Sequence, residues 1–201
     1  MNRIEGLASL IDKDALVLDI GTDHCYLPIY LYEKDITKRV IGSDLSKNAL
    51  EYAKNNLIKH SLEENIKLVL SDGFKNIYED VDVAVISGVG TNTIKKILDN
   101  RKLPNKLVIS SHKDLYDLRC FMQSINYKIV KEIVVKENNI YYNLIKYEYG
   151  LDNLDSYELL VGLSNDLEYR KYLLKKYEEL YKKSDNQKYL NFINIIKRRQ
   201  D

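Results

Sequence analysis

The sequence predicts an α/β chain: a mostly parallel sheet that ends in an antiparallel hairpin, followed by a C-terminal α-helical hairpin with a coiled-coil-like seam. Three observations predict it. Short apolar runs alternate with helical stretches through residue 125, the rhythm of a doubly wound parallel sheet. Two longer runs then flank a short Asn-containing turn. Beyond residue 150 strand signals stop, and apolar residues recur at helical spacing.

Residues 16–20 form a buried first strand that stops at Gly21. Residues 26–33 are helical, with Leu27, Tyr30 and Leu31 on one side and Pro28 in the first turn, where its missing N–H costs little. Residues 39–44 are the second strand. Ser46 is the expected N-cap of the next helix, whose stripe is Ala49, Leu50, Ala53 and Leu57. Residues 66–70 and 81–86 are strands three and four, each stopped by a glycine-containing loop. A helix over 93–98, a fifth strand over 107–109 and a helix over 115–125 follow. Strands over 127–135 and 140–147 close the sheet around Glu137, Asn138 and Asn139, asparagine being suited to a turn that needs positive φ. A nicotinamide-binding sheet would normally continue in parallel, so this hairpin argues against that class.

After residue 150, Asp155 and Glu158 form a capping box. Leu160, Leu163, Leu167, Leu174, Tyr177 and Tyr181 make a seam interrupted at Arg170, residues 183–186 break it, and Tyr189, Phe192, Ile193 and Ile196 begin a second stripe. The expected division is therefore a domain over 1–150 and two antiparallel helices within 151–201.

The net charge of +1 names no partner, but residues 170–199 hold ten Lys/Arg against three acids. Such a face can hold a phosphate backbone or simply be solvated. No apolar run is long enough to span a bilayer and no signal peptide opens the chain, so a cytoplasmic location without membrane contact is expected. Cys25 and Cys120 are far apart, and His24, His60 and His112 are scattered, so neither a disulfide nor a metal is expected. The 17 tyrosines sit beside abundant Lys, Asn and Ile and no Trp. That is the mark of an AT-rich coding bias and not, by itself, of a binding surface.

In this architecture a nucleotide-bearing ligand lies outside the carboxyl ends of the strands. The first loop holds Asp19, Gly21, Thr22, Asp23, His24 and Tyr26. One glycine is too few for a pyrophosphate cradle, whereas Asp19 and Asp23 suit the ammonium of a methionine moiety; Asp23 also reads as a plain turn residue. Asp44 ends the second strand, 23 positions after Gly21, where a carboxylate accepts ribose hydroxyls. That spacing does not separate S-adenosylmethionine from a nicotinamide dinucleotide, and Asp44 also reads as a helix N-terminal acid. Asp72 and Gly73 suit an adenine amino group, and Ser87 with Gly88 permits close backbone approach. Each loop is weak alone; four in register are far stronger. His60 reads as a surface residue near a helix end, and His112 as either a target-side contact or a surface loop residue.

The stretch L-D-I-G-T-D-H-C-Y-L-P at 18–28, with I-G-S-D at 41–44, S-D-G at 71–73 and G-V-G at 88–90, resembles the TrmK family of bacterial tRNA (adenine-N1)-methyltransferases, which act at tRNA position 22. The likeness covers nearly the whole chain. It implies a class I, Rossmann-like methyltransferase domain with a C-terminal coiled-coil hairpin. S-adenosyl-L-methionine is the implied cofactor, S-adenosyl-L-homocysteine its product, and tRNA the partner of a monomeric enzyme that forms 1-methyladenosine.

Gly21, Asp23, His24 and Tyr26 match the family's first motif, Asp44 its ribose acid, Asp72 and Gly73 its adenine pocket, and Gly88 its last glycine motif. Asp19, Thr22, Leu45 and Ser87 complete the expected cofactor set. Asp23 and His24 are the expected catalytic pair. Val89, Ser110 and His112 are expected near the target base, with Lys175, Lys182, Lys183 and Arg198 on the tRNA body. Two loops depart from the family. Its usual A-G-M-G-G is S-G-V-G-T at 87–91, and its usual Q-P-N is S-S-H at 110–112. Both flank the expected base entrance, so the base contacts stay open. The alternatives are a small-molecule methyltransferase with the helices as lid or dimer seam, a silent RNA-binding homologue, and a nicotinamide oxidoreductase.

Overall fold

The computed structural model describes residues 1–99 and 102–199. Seven strands, β1 (Val17–Ile20), β2 (Val40–Asp44), β3 (Lys67–Leu70), β4 (Val83–Ile86), β5 (Lys106–Ser111), β6 (Tyr127–Glu137) and β7 (Ile140–Tyr149), form one sheet in the order β3-β2-β1-β4-β5-β7-β6. The first five pair in parallel, and β7 runs antiparallel to both β5 and β6. The expected terminal hairpin is present, and Asn138 and Asn139 take φ of +49° and +63° in its turn.

Strand side chains alternate between two packed faces. Val17, Val83 and Val108 pack with Leu7, Leu27 and Leu31, whereas Leu18, Ala84, Leu107 and Ile109 pack with Ile94, Leu118 and Met122. The chain order reverses between β1 and β4. Crossovers leave for opposite faces there, and a crevice opens at the carboxyl ends of those strands.

The helices are α1 (Arg3–Ala8), α2 (Tyr26–Glu33), α3 (Lys47–Lys59), α4 (Thr91–Leu98), α5 (Leu115–Ser124), α6 (Ser156–Val161), α7 (Leu167–Ser184) and α8 (Gln187–Arg198). Ser46 caps α3, its hydroxyl accepting from the Ala49 amide at 3.3 Å. Helix α1 was not expected from periodicity, because six residues are too few to show it. Its legible signal is the Asn2–Glu5 capping box.

The C-terminal region corrects the expected two-helix seam, because three helices are present among the described residues. The Asp155–Glu158 box starts α6, but Gly162 at φ +99° ends it. Leu163 and Leu167 are therefore exposed, at 41% and 66%, and the buried residues of α7 are Tyr169 and Leu173. They share one apolar cluster with Leu160, Phe192, Ile196 and the sheet.

A buried ion pair fixes this helical layer. Arg119 of α5 and Glu132 of β6 are paired with no side-chain exposure. Arg119 also donates to the carbonyls of Leu159 and Leu160, satisfying the end of α6. Glu132 accepts from the Asn143 side chain and the Leu163 amide, both at 2.8 Å. A bulge between Ile129 and Lys131 shifts the alternation of β6 by one residue, so that Glu132 faces the helices. Among the described residues no helix is long and apolar enough to cross a membrane.

Candidate functional site

The loops after β1 and β4 meet α1 around a cleft of about 160 Å³ lined by Arg3, Asp19, Asp23, His24, Ser87 and Gly88, among others. Its shape comes from backbone geometry. Gly21, Asp23, Cys25 and Gly88 all have positive φ, so the chain doubles back at the end of each strand. A Cβ at Gly21 would stand 3.9 Å from the Ser87 carbonyl, an ordinary contact, so it is the φ of +76° that favours glycine there; nothing lies within 4 Å of a Cβ at Gly88. The β4 loop thus leaves open space above its backbone. The amides of Gly21 and Thr22 both donate to the Ser43 carbonyl, which pins the first loop to β2.

The acids occupy distinct settings. Asp19 is 6% exposed and accepts from the Thr22 hydroxyl at 2.8 Å. Burial pushes its carboxyl up to about 6, the Thr22 hydrogen bond opposes this, and the nearby Asp44 adds to it. Asp44 accepts from the Asp23 amide at 3.2 Å and the Ser46 amide at 2.9 Å, so its carboxylate is fixed at the loop junction. Asp23 projects outward with its side chain 65% exposed, 3.6 Å from His24 Nε2. The His24 ring stacks on Tyr26 at 5.4 Å and lies 5.5 Å from Tyr52. Cys25 beside them is buried, its thiol pushed up to about 12 by burial, so it is no nucleophile.

The remaining expected cofactor residues continue along the same edge. Leu45 is 71% exposed directly after Asp44. The Ser71 hydroxyl donates to the Gly73 carbonyl at 2.8 Å and accepts from the Asn76 amide, holding the loop that carries exposed Asp72. Gly73, at φ +58°, backs onto Ile97. An acid-lined, glycine-turned crevice with a fixed carboxylate after β2 fits a cationic nucleoside ligand. Two acids beside the turn suit it poorly to a pyrophosphate.

On the other side of the crevice, Val89 is half-buried, Ser110 is buried with its hydroxyl unpartnered, and His112 packs edge-on against Tyr142 at 5.2 Å. Burial first, then Lys113, Lys176 and Arg3, hold the His112 imidazole below its ordinary value. Lys175, Lys182, Lys183 and Arg198 are exposed, the two adjacent lysines near the C-terminal end of α7 and Arg198 at the C-terminal end of α8. The helical layer is less freely basic than its composition suggests. Lys197 pairs with Glu178, Arg199 reaches Asp155 and Glu158, and Lys176 is half-buried. Periodicity reading missed Arg3, Tyr142 and Lys176, which the fold brings to this edge; only the α1 capping box hinted at the first. Among the described residues no cluster of potential ligands is arranged for a metal.

Comparison with known proteins agrees with this geometry. Residues 1–145 match a family model described as a methyltransferase domain. A Mycoplasma genitalium protein provisionally named a tRNA methyltransferase is 34% identical over 152 residues, 73% of this chain and 68% of the relative. The tRNA (adenine(22)-N(1))-methyltransferase of Bacillus subtilis is 26% identical over 153 residues, 74% of this chain and 64% of the relative. Among solved structures, M. capricolum TrmK in complex with S-adenosyl-homocysteine superposes with a TM-score of 0.86 at 30% identity, covering 98% of this chain and 96% of the other.

Proposed function

Because this chain belongs to the TrmK family of bacterial tRNA (adenine-N1)-methyltransferases, we propose that it transfers a methyl group from S-adenosylmethionine to N1 of an adenosine in tRNA, at position 22. The observation that carries the reading is the acid-lined cleft between β1 and β4, with Asp44 held at the end of β2. Asp44 accepts the ribose hydroxyls, Leu45 covers the adenine face and Asp72 accepts from the adenine amino group. Asp19, with Thr22 orienting it, answers the ammonium. The Gly21 turn, Ser87 and Gly88 let the backbone approach closely.

The cofactor supplies a methyl carbon on a positively charged sulfur, which leaves as the neutral thioether of S-adenosylhomocysteine. The N1 lone pair of the target adenine lies in the ring plane and needs no strong base. As the N–C bond forms and the C–S bond breaks, positive charge passes to the base. Positioning therefore supplies most of the rate, and Asp23 answers the developing charge. His24 keeps Asp23 oriented and offers, with Tyr26, an aromatic face at the mouth. Pairing or stacking hides N1, so the base must leave its stack to reach the cleft, passing Val89 and His112, with the buried Ser110 behind them. Residues 1–150 do this chemistry. Residues 151–201 hold the tRNA body through Lys175, Lys182, Lys183 and Arg198, in a monomer working in the cytoplasm, where tRNA is found.

The test is labelled methyl transfer to unmodified tRNA followed by nucleoside digestion. Label in 1-methyladenosine is the expected result, and Asp23→Asn should lower kcat about a hundredfold while keeping the affinity for S-adenosylhomocysteine. Label only in small molecules, or none with cofactor bound, would refute the reading.

A further inference from the structure

Beyond the cleft, a line of flat and cationic side chains crosses the carboxyl edge of the sheet. Arg3 lines the cleft, and its guanidinium lies 4.8 Å from the Tyr142 ring centre. Tyr142 meets His112 at 5.2 Å. His112 in turn lines a small depression with Tyr172 and Lys176 of α7. The line therefore starts at the cofactor cleft, passes over the ends of β5 and β7, and finishes on the helical layer.

Cations outnumber acids along it. The charges that act on His112 are Lys113, Lys176 and Arg3, all cationic. Two acids accompany them: Glu137 lies 3.8 Å from Arg3, and Asp114 lines the same depression as His112 and Lys176 and acts on Lys176. Lys176 is held below its ordinary value by burial first, so α7 keeps a cation half-buried where desolvation disfavours it. Lys113 is exposed, and its backbone carbonyl accepts from the Thr91 hydroxyl at 2.8 Å, which ties it to the start of α4.

Alternating rings and cations suit an unpaired polynucleotide strand, whose bases stack on side-chain planes while its phosphates meet lysine and arginine. The geometry points to a strand track. Tyr142 and His112 stack the nucleotides next to the target adenosine, while Lys113 and Lys176 hold their phosphates, turning the target base toward Arg3 and the cleft. This rests on the tRNA reading above and deepens it. The exposed hairpin cations would set where the tRNA body lies, whereas this line would select an unstacked segment beside the target.

The experiment measures binding of an unmodified tRNA transcript by fluorescence anisotropy across a salt series, with S-adenosylhomocysteine affinity and thermal melting as fold controls. In the Lys113→Gln/Lys176→Gln variant, tRNA affinity should fall about tenfold and the salt slope should shrink by about 1.4, the contribution of two single-strand phosphate contacts. Tyr142→Leu should weaken binding by about tenfold with an unchanged slope, because stacking carries no counterion release. Unchanged affinity and slope in the lysine variant, while the parent chain methylates tRNA, would overturn the track and leave the function standing. A parent chain that binds tRNA along these residues without forming 1-methyladenosine would do the reverse. Failure of the parent to bind tRNA would overturn both.

Discussion

The two halves of the crevice are built in different ways. On the β1–β3 side, each functional residue sits within a few positions of a strand end, held by contacts inside its own loop or to the next strand: Thr22 to Asp19, Asp44 to the Asp23 amide, Ser71 to Gly73. On the β5 side the residues arrive from distant parts of the chain. Arg3, His112 and Tyr142 meet one another, and the position of α7 depends on Arg119, Glu132 and the Leu163 amide. The proposed cofactor side is local and motif-like, whereas the proposed base side is a product of tertiary packing.

The sharpest break of this contrast is Glu132→Leu. It strands the buried Arg119 charge and leaves the Leu163 amide without its acceptor. Removing one partner of a buried pair costs about 3–5 kcal/mol, to be read from urea unfolding. The Arg119→Leu/Glu132→Leu double variant should recover most of that loss. A single-variant cost under about 1 kcal/mol would mean that the pair does not fix the helical layer.

This difference explains what the sequence could and could not reveal. The buried strands β1 and β4 are short, mostly apolar runs, and Gly21, Asp44, Asp72 and Gly88 end or follow the first four strands, so the proposed cofactor side was legible. The seam through Leu163 and Leu167 was misread because helical spacing cannot register a break at Gly162. That break is made by a conformation at φ +99° and by the Arg119–Glu132 pair packed against it. Glu132 itself gave no signal, since a bulge changes the phase of β6 and an acid in a strand ordinarily reads as solvent-facing. Arg3 was hidden for another reason: a six-residue helix is too short for periodicity, and its partners lie more than a hundred positions away.

A smaller perturbation tests the local half. Asp44→Ala should weaken S-adenosylhomocysteine about a hundredfold by calorimetry, the effect of losing two hydrogen bonds to a charged acceptor. The same change should leave the docking of the C-terminal helices intact, with tRNA affinity in the absence of cofactor close to that of the parent. A loss of tRNA affinity equal to the loss of cofactor affinity would show that the two halves are not separately built.

The smallest expected effect concerns Asp19, where binding and stability oppose each other. Its carboxyl is raised to about 6 in the folded chain from 3.8. Between those values the folded chain binds more protons than the unfolded one, so stability is highest below about pH 4 as far as this group is concerned. It declines as pH rises through 6, by about 1–3 kcal/mol in total. Asp19→Asn keeps an acceptor for Thr22 but cannot ionise. Between pH 5 and 8 it should therefore lose less stability than the parent, and at pH 8 it should be the more stable protein without cofactor. Its affinity for S-adenosylmethionine should fall, because the ammonium no longer meets a buried negative charge. In the parent chain that affinity should weaken as pH drops below 6, since the ligand's cation then competes with a proton for the same carboxylate. If calorimetry at pH 5 and 8 gives equal affinities in parent and variant, Asp19 only buttresses the Thr22 turn and the ammonium is answered elsewhere in the cleft.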